Sequence, residues 1–77
     1  MPTIKRFSNC AVKLFSDDHP PPHFHVVFSD GNRCSVAIES LEVVAGTVWP
    51  PRRLQEALAW AEANQDMLLA RWQELNR

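Results

Sequence analysis

Apolar and polar residues alternate through the first half of the chain, and apolar residues recur at helical spacing through the last third. Cys10, Val12 and Leu14 fall on one face of a strand, with Lys13 on the other. Phe24, Val26 and Phe28 form a second such face, and Cys34, Val36 and Ile38 a third, on either side of Asp30-Gly31-Asn32. A loop of Asp30 to Asn32 pairs Phe28 with Cys34, Val26 with Val36 and Phe24 with Ile38, so that apolar meets apolar. Asn32 then takes the left-handed position, His25 faces Ala37 and His23 faces Glu39. Thr3 to Phe7 and Leu41 to Val44 also read as extended, and Thr47 to Trp49 as a short edge strand. Beyond Pro51, residues Leu54, Leu58, Ala61, Leu68, Trp72 and Leu75 form a helical stripe broken only by Gln65. One helix to Leu75 would be ~37 Å long, against ~30 Å for a compact domain of this length. It therefore breaks near Asn64 or carries its end into a partner. The pattern predicts an α+β fold: an antiparallel meander of about four strands packed against a C-terminal helix.

Composition narrows the picture. Seventy-seven residues, 45% hydrophobic and 22% charged, fit a single domain over residues 1–77. The formal net charge of −1 gives no generic attraction to nucleic acid. No apolar run approaches the ~20 residues of a membrane span, and Met1 to Arg6 lacks the apolar core of a signal peptide. No membrane association and a cytoplasmic location are the expectation. Cys10 and Cys34 match no metal or redox spacing and read as buried reduced thiols.

Candidate chemistry concentrates between Asp17 and Val26. All three histidines lie there, along with Pro20-Pro21-Pro22. The prolines predict a stiff polyproline-II rod that would carry His19 ~12 Å from His23, a poor distance for a shared ligand. His23 and His25, two apart on a strand, point the same way. They can bind a divalent transition metal such as zinc, with Glu39 as third ligand or orienting group, or His23 can act as a base oriented by Glu39. A solvated sheet face, with a cross-strand His–Glu pair contributing ~0.2–1 kcal/mol, is the structural alternative. Asp17-Asp18 reads as a strand-ending turn with Asp18 capping local backbone. Arg52 and Arg53, next to Pro50-Pro51, stand at the positive end of a helix. They invite an anion such as Glu42, a partner's acidic patch or RNA phosphate, or else stay solvated. Core packing is expected for Trp49, Trp60 and Trp72. A stripe ending in Leu68, Trp72 and Leu75 outruns the sheet and predicts association, either as a homodimer or with another protein.

Several segments together resemble a known family. They are Met1-Pro2-Thr3-Ile4, Asp18-His19-Pro20-Pro21-Pro22-His23-Phe24-His25-Val26, Leu41-Glu42 with Gly46, and the closing Trp60 and Trp72. The family is the small prokaryotic domain-of-unknown-function family numbered four thousand one hundred and sixty. The likeness spans nearly the whole chain, and the His-Pro-Pro-His-Phe-His core is specific; this chain has three prolines where the family usually has two. Such proteins are often encoded beside a second small family, in what looks like a type II toxin–antitoxin pair. The resemblance thus implies a small toxin-like protein with a cognate antitoxin-like partner encoded nearby, and assigns no chemistry to any residue. Combined with the histidine pair, it leads to a ribonuclease acting on RNA through His23 and His25. The alternative is a non-catalytic metal- or protein-binding module.

Overall fold

β-Branched and aromatic residues in short runs, each closed by a turn former, build a five-stranded sheet in simple sequential order. The strands are β1 (Thr3–Arg6), β2 (Cys10–Lys13), β3 (His23–Phe28), β4 (Arg33–Ala37) and β5 (Val43–Gly46). Every neighbouring pair is antiparallel. The computed structural model describes residues 3–77; Met1 and Pro2, which begin the Met1–Ile4 motif, lie outside the described residues. The α+β meander agrees with the pattern of the sequence, with five strands instead of about four. Val43–Gly46 pairs with β4 as the fifth strand, whereas Thr47 to Trp49 forms none.

The β3–β4 hairpin keeps the expected faces but not the expected register. Phe24 stands opposite Val36, Val26 opposite Cys34 and His25 opposite Ser35. Ala37, not Glu39, therefore faces His23. The loop is Ser29 to Gly31, closed by the Phe28 amide on the Asn32 carbonyl at 2.8 Å. Gly31, at φ +93°, takes the left-handed position expected of Asn32. Asp30 fixes this choice by accepting the Asn32 amide at 3.0 Å. Because the shift is two residues, every side chain keeps its face.

After a 3₁₀ turn at Pro51–Leu54 come α1 (Gln55–Ala63) and α2 (Gln65–Leu75), split at Asn64. Asn64 leaves the helical region at φ −130°, ψ 22°, and its side-chain amide donates to the Trp60 carbonyl at 2.8 Å. Gln65, the polar break in the stripe, has a structural use: its amide donates to the Ile38 carbonyl at 2.8 Å and to that of Glu39 at 3.2 Å. A straight helix of ~37 Å would have overrun the longest dimension, 34 Å. The break lets α2 fold back instead.

That return covers most of the stripe end from which association is expected. Leu68 is fully buried and Trp72 only 8% exposed, within one core that joins both helices to Val12, Leu14, Phe24, Val26, Val36 and Ile38. Trp60 packs edge-on against Phe7 with ring centroids 6.2 Å apart. Trp49 departs from the expected core position at 81% exposed, and Val43 and Val44 of β5 are exposed as well. No helix among the described residues is long and apolar enough to cross a membrane.

Candidate metal centre

The helices cover one face of the sheet, and the chemistry lies on the other. Register places Lys13, His25, Ser35 and Ala45 in one row across this outer face. His23, two residues from His25, projects the same way. The segment that links β2 to β3 then crosses over them. Phe15 sits edge-on against His25, ring centroids 4.5 Å apart. The Ser16-Asp17 turn, with Asp17 at φ +60°, delivers the Asp18 carboxylate to the histidines.

Asn76 holds that delivery in place from the far end of the chain. Its Oδ1 accepts the Asp18 amide, while its Nδ2 donates to the carbonyls of Phe15 at 3.1 Å and Trp72 at 2.9 Å. One residue thus caps α2 and pins both ends of the Phe15–Asp18 segment. The turn expected at Asp17-Asp18 is present at Ser16-Asp17, and the Asp18 carboxylate belongs to the site.

Asp18 Oδ2 lies 3.1 Å from His23 Nε2 and 3.0 Å from His25 Nε2. His23 is buried, its side chain 6% exposed, whereas those of His25 and Asp18 keep 24% and 18%. The Nδ1 of His23 is 2.7 Å from the Pro21 carbonyl. A carbonyl only accepts, so Nδ1 carries a proton, and Nε2 either donates to Asp18 or, in a neutral ring, directs its lone pair there. In the second case lone pair faces carboxylate oxygen, an arrangement that needs a proton or a cation between them. His25 is more adaptable, because its Nδ1 meets the Ser35 hydroxyl at 3.3 Å and Ser can donate or accept.

The three groups also converge closely enough to be considered as ligands of one ion. One ligand atom from each of Asp18, His23 and His25 lies within 4.8 Å of the others. Ligands ~2.0–2.1 Å from a tetrahedral zinc stand about 3.3 Å apart, close to the two N–O separations seen. The Pro21 carbonyl behind His23 is the kind of outer partner that fixes a ligating ring. Beyond His25 the cluster opens into a pocket of about 390 Å³, lined in part by Phe15, Asp18, Arg33 and Ser35.

The remaining candidates lie elsewhere. Glu39 is exposed, and its contact with the core is a backbone carbonyl bonded to Gln65. Arg53 has found an internal anion, Asp30 at 2.9 Å, and lies over the Phe28 ring at 4.5 Å; Arg52 is exposed beside it. Both are remote from the histidines in the fold. His19 is exposed, yet its ring centroid is 5.8 Å from that of His23 and not ~12 Å as a straight rod would give. The segment is therefore not a straight rod.

A model of the family described as a domain of unknown function, DUF4160, matches residues 10–73. The chain belongs to this family. The match runs from β2 into α2 and contains Asp18, His23 and His25, so the whole cluster lies within the DUF4160 domain. No curated protein and no solved structure matches the chain.

Proposed function

We propose that this DUF4160 domain is a metal-binding module, with a divalent transition ion, zinc foremost, held by Asp18, His23 and His25. The observation that carries the reading is His23 itself. It is a buried imidazole whose Nδ1 proton is committed to Pro21 and whose Nε2 stands 3.1 Å from a carboxylate oxygen. Two nitrogens and one oxygen suit zinc and its late first-row neighbours better than calcium or magnesium. Metal takes its ligands in their deprotonated forms, so uptake weakens as pH falls. Zinc titration by calorimetry, in two buffers of different ionisation enthalpy, tests this. The expected result is one ion per chain with proton release, abolished in His23→Ala/His25→Ala and weakened at least about tenfold in Asp18→Asn. Equal affinity in all three proteins would end the proposal.

A catalytic extension has one observation in its favour: the open side of the cluster meets a pocket that also holds Arg33. There the ion would supply Lewis-acid activation of water, and Arg33 would neutralise a phosphoryl group. On this reading the domain is the toxin-like ribonuclease of a type II pair, with a cognate antitoxin-like partner encoded nearby. Val43, Val44 and Trp49, exposed apolar residues by the outermost strand, would offer that partner a docking edge. RNA cleavage lost in His25→Ala, and growth arrest relieved by the neighbouring gene product, are the expected outcomes. A chain that binds zinc but never cleaves RNA is a binding module only.

A further inference from the structure

The formal net charge of −1 conceals a strong segregation. The five strands hold Lys5, Arg6, Lys13 and Arg33 and contain no Asp or Glu. The two α-helices hold Glu56, Glu62, Asp66 and Glu74 against a single base, Arg71. Register sorts the strand cations further. Arg6 lies opposite Ala11, Ala11 opposite Val27, and Val27 opposite Arg33, so the two arginines end one row across the outer face. Lys13 sits in the adjoining row, opposite His25. None of the three forms an ion pair among the described residues. Of the two acids on the crossing segment, Asp18 is engaged with the histidines and Asp17 is exposed.

We infer that the outer face of the sheet binds single-stranded nucleic acid, with Arg6, Lys13 and Arg33 on its phosphates. Three strand spacings separate Arg6 from Arg33, about 14 Å. A short run of nucleotides spans that separation. Between them Ala11 is buried and Val27 half-buried, and the Phe15 ring lies at the pocket beside Arg33. An unpaired base finds its stacking surface there. The pocket brings Arg33 next to His25 and Asp18, so the bound strand passes the candidate metal centre. This names a substrate class for the ribonuclease reading, yet requires neither metal nor cleavage.

Fluorescence anisotropy with a labelled single-stranded RNA dodecamer, in excess EDTA, measures the binding without engaging the metal site. Three phosphate contacts give a log–log salt slope near −2.1, or about a hundredfold loss of affinity for a tenfold rise in salt. Arg6→Gln/Arg33→Gln should weaken binding and bring the slope to about −0.7, while Arg71→Gln on the acidic side should leave both unchanged. Circular dichroism of each variant verifies folding, which exposed side chains should not disturb. No binding at low salt, equal loss in Arg71→Gln, or displacement by poly-glutamate as effective as by RNA would overturn the inference. The last result would assign the face to an acidic protein. Because EDTA is present, each of these failures leaves the zinc titration unaffected.

Discussion

Replacing Asn76 by Ala should damage the fold and the site together, although Asn76 touches neither histidine. Three hydrogen bonds are lost: Asp18 N–H to Oδ1, and Nδ2 to the carbonyls of Phe15 and Trp72. A hydrogen bond contributes about 0.5–1.5 kcal/mol net. These three are only part-buried, so water can replace some of what is removed. Taking the lower half of the range gives a loss of about 2 kcal/mol, or roughly 8–16 °C in Tm for a domain of this size. The Phe15–Asp18 segment is then tied down only by its contacts on the outer face, and the Asp18 carboxylate must be ordered at the moment of metal binding. Outer partners of metal ligands are worth about 10–100-fold in affinity, and a tenfold or greater rise in zinc Kd is expected. Urea unfolding gives the first quantity and zinc titration against a competing chelator the second. A variant that loses stability but binds zinc as tightly as the natural chain would show that α2 does not position Asp18. A variant that loses neither would show that the bonds contribute nothing.

Two further predictions concern the sheet. Gly46→Ala should unfasten β5 at its end and narrow the pocket beside Arg33, since φ is +78° and a Cβ would meet the Arg33 carbonyl at 2.6 Å. A backbone cost of about 1–3 kcal/mol before the clash is expected, read by thermal unfolding, and unchanged Tm would contradict it. Cys10 and Cys34 should resist thiol reagents until the chain unfolds, because burial pushes both thiols up from the ordinary 9.0. With the folded value above the unfolded one, their contribution to stability is fully present below pH 9.0 and is lost as pH rises through the folded values. Alkaline destabilisation that persists in Cys10→Ala/Cys34→Ala would assign it to other groups.

Much of the fold could be read from residue pattern, and the errors share one physical origin. Alternation in β3 and β4 determines which side of the sheet each residue takes, so the shared face of His23 and His25 was legible. Register depends instead on which loop residue accepts a positive φ, and Gly31 wins over Asn32 because it has no Cβ. That difference of two residues moved Glu39 away from His23. Length allowed two outcomes, a break near Asn64 or an end carried into a partner; the structure has the break, with Gln65 donating to the Ile38 carbonyl beside it. Asp18 was the residue that pattern reasoning left out of the site. Its proximity to the histidine motif was a usable signal, yet its position is fixed by Asn76, 58 residues away. Arg53 likewise met Asp30 across a separation that no local pattern reveals.

The central claim is that Asp18, His23 and His25 share one metal ion. Crystals of the protein grown with zinc, measured above and below the zinc absorption edge, test it most directly. The account predicts one strong anomalous peak about 2.0–2.2 Å from His23 Nε2, His25 Nε2 and an Asp18 carboxylate oxygen. The peak should disappear in crystals of His23→Ala/His25→Ala. A peak elsewhere on the chain, or none between these three side chains at saturating zinc, would contradict it.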